Sequence, residues 1–470
     1  MSDTRDDVLA VDAAAPAEIG ELDLYQKREK IYTRAIQGRF QRLRTLTGWP
    51  LLLGYFCLPW INVFGQQSVL FDLPERKFHI LTMTFWPQDF FMLAWLLIIS
   101  AFGLFTVTAL AGRVWCGYTC PQTVWTAIFM WIEQFFEGSR NQRIKLDKAP
   151  LSFTKFRRKF MKHAGWLFVA FMTGFTFVGY FTPIRDLLGD VFTLQANSWA
   201  LVWIFIFTVL TYLNAGWMRE QVCTYMCPYA RFQSVMFDRD TLIVSYDQQR
   251  GEPRGARKRT REQTSELGDC VDCQMCVQVC PTGIDIRDGL QYKCIGCALC
   301  IDACDSVMDK MGYARGLVSY TSENRLEGGQ THILRPRLIG YVTVMCVMMV
   351  AFSYAMLTRD MVDMTILRER NQLYMEAPGG LIDNVYKIHL SNLDADAQTF
   401  LLEVTGIDGA QVIGDQRVTV GGGELAELTL RVRANPIDLP APSTPVLFKA
   451  TRVDDPSITT DHESRFMKPL

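Results

Sequence analysis

Eight of the 14 cysteines in this 470-residue chain fall within 35 residues. They read Cys270-x2-Cys273-x2-Cys276-x3-Cys280-Pro281, then Cys294-x2-Cys297-x2-Cys300-x3-Cys304. Three thiols at two-residue intervals wrap a short loop around one cubane, and the fourth, three residues on, reaches a neighbouring cubane. The spacing therefore predicts two [4Fe–4S] clusters, one on Cys270, Cys273, Cys276 and Cys304 and the other on Cys280, Cys294, Cys297 and Cys300. A zinc site would use CxxC pairs with a long spacer, and disulfides are disfavoured in a reducing compartment. Asp305 stands where the second run should carry proline. We expect altered turn geometry there, and a nearby carboxylate that makes its cluster harder to reduce.

Two further pairs have a different form, Cys116-Gly-Tyr-Thr-Cys120-Pro121 and Cys223-Thr-Tyr-Met-Cys227-Pro228. An (i, i+4) spacing puts both thiols of a pair on one helix face, with proline tolerated in a helix's first turn. Arg113 and Arg219 stand nearby, and cations beside a helix start lower a thiol's pKa and favour the thiolate that binds metal or exchanges disulfides. Whether the four thiols meet cannot be read from spacing; the bland alternative is two helix-start turns with incidental thiols. Cys57 and Cys346 occur singly in apolar runs, where cysteine is a small buried hydrophobe. Met345, Met348, Met349, Met356, Met361 and Met364 surround Cys346; thioethers suit Cu(I), but packing is the commoner role. None of the five histidines sits mid-span as a haem ligand, and there is no CxxCH.

What must position these thiols is a membrane domain. Windows of about 20 apolar residues, enough to cross a bilayer as a helix, occur at 46–64, 90–111, 165–181, 199–217 and 338–357. Basic residues mark cytoplasmic ends. They precede the first span (Lys27 to Arg44), follow the second at Arg113 and crowd before the third (Arg140 to Lys162). The sixth apolar stretch, 115–136, thus has two cytoplasmic ends and reads as an interfacial or re-entrant helix, anchored by Trp115, Trp125 and Trp131 and bearing Glu133 and Glu137. Five spans fit the charges and six do not. The expected organisation is a disordered acidic tail over 1–24, a membrane domain over 25–237 with both Cys-x3-Cys-Pro motifs, and a cytoplasmic ferredoxin-type α+β insertion over 238–335. A fifth span over 336–358 and a domain outside the membrane over 359–470 follow.

The insertion opens with a basic linker, 239–261, expected to lie on anionic headgroups; lacking interleaved aromatics, it does not read as a nucleic-acid site. From about Asn384 the chain alternates in short stretches such as VYKIHL, TFLLEVTGI, AELTLRVRA and PVLFKATRV, broken by Gly, Asp, Asn and Pro. That pattern predicts an antiparallel β-sandwich, without cysteine and suited to binding or docking. A net charge of −1 gives no global pull toward nucleic acid. The mean hydropathy of +0.08 averages apolar spans with polar domains on both faces.

This order of parts resembles the FixG/RdxA/CcoG family of accessory proteins for cbb-type cytochrome oxidase: basic N-terminus, CGYTCP after the second span, CTYMCP after the fourth, dicluster loop, fifth span, β-sandwich. The resemblance covers roughly 25–470. It implies a multi-pass protein of the bacterial inner membrane, a periplasmic immunoglobulin-like domain, and two [4Fe–4S] clusters on the eight ferredoxin cysteines. It also implies a role in oxidase assembly through reduction of Cu(II) to Cu(I), with Cys116, Cys120, Cys223 and Cys227 as the candidate copper-binding and catalytic residues. Implied partners are the lipid bilayer, oxidase assembly factors and a copper chaperone or transporter. The electron donor and self-association stay open. The competing readings are a quinol-linked membrane ferredoxin serving another respiratory enzyme and a non-redox assembly scaffold.

Overall fold

In the computed structural model, residues 30–63, 65–257, 267–358, 361–369, 373–394 and 396–469 are described. The acidic tail expected over 1–24 and the end of the basic linker lie outside them.

The first helix, α1 (Arg39–Cys57), begins seven residues before the expected span and ends short of it. Residues 62–85 then form two hairpin-like sheets, β1 (Asn62–Val63) with β2 (Gln66–Gln67), and β3 (Val69–Asp72), β4 (Lys77–Ile80) and β5 (Met83–Phe85) in sequence. Helix α2 (Phe90–Ala111) follows, led in by Asp89, whose carboxylate accepts the backbone N–H of Trp86 at 3.0 Å. Gly112 ends it with φ +54°, a conformation that glycine adopts without a Cβ clash. The sixth apolar stretch is two helices, α3 (Val114–Tyr118) and α4 (Pro121–Glu137). After α5 (Arg140–Lys148), α6 (Phe153–Val178) starts twelve residues before the expected third span, its first turn capped by Ser152 Oγ accepting Lys155 N–H at 3.2 Å. Next come α7 (Ile184–Phe192) and α8 (Ser198–Thr211), which continues as a π-helix over Tyr212–Met218. A second π-helical turn, Val222–Met226, leads to α9 (Pro228–Met236).

The cluster module begins at β6 (Ile243–Tyr246), so the front of the supposed linker is folded: β6 pairs antiparallel with β7 (Val318–Thr321). Helix α10 (Gln248–Gly251), α11 (Met275–Val279), α12 (Leu299–Met311) and α13 (Glu323–Leu326) complete it. Helix α14 (Pro336–Leu357) opens on proline, which needs no N–H at that position, and packs along α2. Among the described residues, three helices are long and apolar enough to cross a membrane, Phe90–Ala111, Ser198–Met218 and Pro336–Leu357. Helices α1 and α6 carry basic residues in their first halves.

The C-terminal part is an antiparallel β-sandwich. One sheet orders β12 (Gln411–Ile413), β14 (Leu425–Ala434), β10 (Leu381–Asn392) and β8 (Val362–Arg368), with β9 (Met375–Ala377) on β10; the other orders β13 (Arg417–Val420), β11 (Gln398–Thr405), β15 (Ser443–Arg452) and β16 (Thr459–Met467). Alternate residues of β15 are buried, so Val446, Phe448 and Ala450 face Tyr386, Ile388, Leu402 and Leu430 in the core while their neighbours meet water. The sandwich touches the rest of the chain at Gly423, where a Cβ would lie 2.9 Å from the Trp86 ring just before α2.

Candidate thiol and cluster site

The two ferredoxin loops bend in the same way. In each, the residues flanking the second cysteine have positive φ: Asp272 and Gln274 around Cys273, Gly296 and Ala298 around Cys297. Those bends turn the chain around a cavity and start α11 and α12. One cavity, about 360 Å³ of empty space, is lined by Cys270, Cys273, Cys276 and Cys304. The other, about 350 Å³, is lined by Cys280, Cys294, Cys297 and Cys300, with Cys276 at its edge. The fourth cysteine of each run lies with the other run's three, as the spacing predicts. Burial pushes the thiols of Cys276, Cys294 and Cys304 up to about 11, 12 and 12, and those of Cys297 and Cys300 up as well. Thiols so enclosed become anions when a cationic metal group neutralises them, so two cavities walled by soft sulfur fit iron–sulfur clusters. Arg287, buried and paired with Asp285 and Asp272 at 2.6 Å each, holds the first loop closed. Asp305 Oδ1 accepts Gly316 N–H at 3.0 Å; without the proline that follows Cys280, α12 runs on to Met311, and the carboxylate raises the Cys304 pKa.

The paired motifs correct two expectations. Neither pair lies on one helix face. Cys116 is in α3, while Cys120 is the extended residue before α4 (ψ 128°); Cys223 is in the π-helical turn, and Cys227 is the extended residue before α9 (ψ 112°). Proline lacks an N–H and pushes the residue before it out of the helical region, so each Cys-Pro breaks one helix and starts the next. Nor are the thiols of Cys116, Cys120 and Cys223 acidic. Burial raises Cys116 to about 12 and Cys223 to about 11, and it raises Cys120; the Arg113 charge works the other way on Cys116 and Cys223 and loses.

The structure does bring the pairs together. The Cys116 thiol feels Cys120, Cys223 and Cys227, and Cys120 feels Cys227. Among the described residues no three His, Cys, Asp or Glu side chains converge as for a single metal ion, so the four thiols form a loose group rather than a closed site. Three residues that the spacing gave no reason to choose set its shape. The fully buried Gln233 accepts from Cys116 Sγ at 3.6 Å and donates to Thr108 Oγ1 and Gly112 O, both at 3.4 Å. Gln122, next to Pro121, donates to the carbonyls of Asn214 (2.9 Å) and Arg219 (3.1 Å), bridging the first motif to the second. Arg113, noted only for its charge, donates to the carbonyls of Ala230 (2.6 Å), Tyr292 and Cys294 (2.5 and 3.4 Å). Arg219 itself has φ +48° and is held by the fully buried Glu133 at 2.8 Å, which also pairs with buried Arg143 at 3.3 Å.

The thiol group abuts the second cluster cavity. A Cβ on Gly117, inside the first motif, would stand 2.8 Å from Cys297 Cα and 2.9 Å from Gly296 O, and Cys116 packs into the cluster of side chains around Cys297 and Ile295. A small cavity between the second motif and the module is walled by Cys223, Arg219, Gln122, Pro281 and Thr282. The isolated Cys57 and Cys346 are exposed on their helices rather than buried. The methionines around Cys346 do not gather: Met349 and Met361 are exposed and Met364 lies in the sandwich core.

Comparison with known proteins agrees with these parts. Residues 218–323 match a family described as a 4Fe-4S dicluster domain, 93–140 a 4Fe-4S binding domain, and 352–469 the IG-like fold at the C-terminus of FixG. Nitrogen fixation protein FixG of Rhizobium meliloti is 40% identical over 85% of this chain and 84% of its own. Protein RdxA of Cereibacter sphaeroides is 40% identical over 82% of this chain and 84% of its own, and RdxB of the same organism 39% over 81% and 83%. Among solved structures, a FixG-related protein from Vibrio parahaemolyticus is 31% identical and covers 24% of this chain and 99% of its own, with a TM-score of 0.22.

Proposed function

Because this chain belongs to the FixG/RdxA family, an iron–sulfur redox family, we propose that it reduces Cu(II) to Cu(I) at the four-thiol group, for assembly of a cbb-type cytochrome oxidase. The observation that carries this is the backbone contact of Gly117 with Cys297, which sets the thiol group against the wall of a cluster cavity.

In this reading Cys270, Cys273, Cys276 and Cys304 hold one [4Fe–4S] cluster and Cys280, Cys294, Cys297 and Cys300 the other. When bound, such clusters supply electrons singly, which matches the one-electron change of copper. The residues of the chain do the rest. Cys116, Cys120, Cys223 and Cys227 bind Cu(II) as thiolates and release their protons to water. One electron converts it to Cu(I), for which thiolate is the preferred ligand. Gln233 holds the Cys116 sulfur, Gln122 fixes the spacing of the two motifs, and Arg113 offsets the negative charge that gathers at the thiolates. A loose, unclosed group suits a substrate metal that must leave again.

We place the protein in the bacterial inner membrane with five spans, adding α1 and α6 to the three apolar helices. The N-terminus and cluster module are cytoplasmic and the sandwich is periplasmic, available to assembly factors or a copper chaperone. The test is to reduce the purified protein chemically, add Cu(II) with a Cu(I)-specific chelator, and follow chelated Cu(I). We expect the Cys116→Ser/Cys120→Ser and Cys223→Ser/Cys227→Ser variants to lose the activity while keeping their iron; equal rates in all three would reject the copper site.

A further inference from the structure

A third cavity adjoins the second cluster cavity, and the proposed function does not use it. It is a cleft with about 630 Å³ of empty space, at the seam between the apolar helices and the module. Its floor is Ala111 at the end of α2 with Phe237 and Leu242, and its other wall is Leu290, Tyr292 and Cys294. Val244 and Cys294 line this cleft and the second cluster cavity alike, so those two side chains partition them.

Two features fix the cleft's setting. First, it sits where two membrane-type helices emerge. Arg335, the residue before α14, donates to Ala109 O near the end of α2 and pairs with Asp238 at 2.7 Å, while Thr241 Oγ1 donates to Ala109 O at 3.0 Å. The Ala111 edge of the cleft therefore lies beside the ends of both helices. Second, its lining is mainly apolar with few polar groups, chiefly Arg113, Gln291 and Tyr320. Arg113 lies 4.8 Å over the Tyr292 ring, and the Tyr320 hydroxyl donates to Gly296 O. A mostly apolar cleft with a few convergent polar groups is the usual form of a small-molecule site.

We propose that this cleft binds the ring of a lipid-soluble quinol, the electron donor of the protein. The inference rests on the assignment of Cys294 as a cluster ligand. A quinol would come from the bilayer along the ends of α2 and α14, and its ring would lie against Cys294, which lines the cleft. Oxidation of one quinol to quinone releases two electrons and two protons. The two oxidised clusters, when bound, would take one electron each, and the two protons would pass to water. A soluble protein donor has less to recommend it, since the lining of the cleft is mainly apolar.

The test uses the full-length protein in lipid nanodiscs, with two readouts. Photolabelling with an azidoquinone should mark peptides 237–244 and 289–296, be competed by the unmodified quinone, and fall in Leu290→Trp, which fills the rim from an exposed position. In stopped flow under anaerobic conditions, a short-chain quinol should bleach the cluster absorbance, and Leu290→Trp should slow that bleaching at least roughly tenfold, a cost of about 1.4 kcal/mol, while dithionite bleaches both proteins equally. Labelling elsewhere, or equal quinol rates in Leu290→Trp and wild type, overturns the proposal. So does bleaching by dithionite but not by quinol. Absence of any cluster absorbance with normal labelling would instead reject the ligand assignment and leave the quinol site standing.

Discussion

The carboxylate of Asp302, between Cys300 and Cys304, caps α1: its Oδ1 accepts Phe40 N–H at 3.1 Å and its Oδ2 accepts Gln41 N–H at 2.8 Å. A helix that enters the apolar domain thus has its first turn completed by a residue 262 positions away, within the cluster module. Gly38 makes this possible, since a Cβ there would lie 2.2 Å from the Asp302 side chain.

Asp302→Ala removes both acceptors from a helix N-terminus and should cost about 1–2 kcal/mol. Asp302→Asn, which keeps one acceptor oxygen, should recover part of it. Chemical denaturation in detergent measures the difference, and equal stability of Asp302→Ala and wild type would remove the cap from the account.

Gly117→Ala places a methyl group against Cys297 backbone atoms that cannot swing aside. It should slow Cu(II) reduction roughly tenfold to a hundredfold by separating the thiol group from the module, with iron content unchanged. A full rate at full iron content would show that the contact is not needed.

Glu133 has its pKa set by opposing causes: burial raises it, and the Arg219 and Arg143 charges together lower it further. A carboxyl depressed in the folded state stabilises above its unfolded pKa, near 4.5, and loses that contribution as pH falls below it. Asp147, depressed by Lys159, Lys30 and Tyr32 against its own partial burial, adds to the same loss. Stability should therefore drop as the pH falls from about 4.5. Glu133→Gln should flatten that drop and cost about 3–5 kcal/mol at neutral pH by leaving Arg143 and Arg219 uncompensated. Unfolding curves across pH 3–7 test both.

The raised thiols give a proton count. Cys116 and Cys223, pushed up to about 12 and about 11 by burial, are neutral at pH 7. Copper taken up as thiolates must displace their protons. Titrating Cu(I) into weakly buffered protein should acidify it by one proton for each thiol engaged, and Cys116→Ser and Cys223→Ser should each remove one. Uptake without acidification would mean the thiols are already ionised.

A reporter inserted after Gly138 should be active in the cytoplasm and one after Gly379 in the periplasm. Periplasmic activity at Gly138 would overturn the five-span arrangement.

The two cysteine-lined cavities were legible because their geometry is written in a local stretch, where spacing alone says which thiols line which cavity. The paired motifs were legible only as motifs. The rule that (i, i+4) residues share a helix face gave way to the stronger local rule that proline ends the helix before it, and thiol acidity was misjudged because burial is not visible in sequence. Gln233 sits 117 residues from the sulfur it holds, and no periodicity joins the two. In the sandwich, the strands read from alternating apolar residues are present, whereas Thr459–Met467 escaped notice because TTDHESRFM is polar nearly throughout and pairs along an edge.

The pairing of β6 with β7 makes the places where the chain enters and leaves the cluster module neighbours, reinforced by Asn324 Nδ2 donating to Asp240 at 2.8 Å. Such a module is an inserted domain, entered and left at one place in the chain. If iron is never loaded and the loops open, the chain still emerges from α9 and returns to α14 at the same spot, so the α2–α14 pair and the sandwich keep their places.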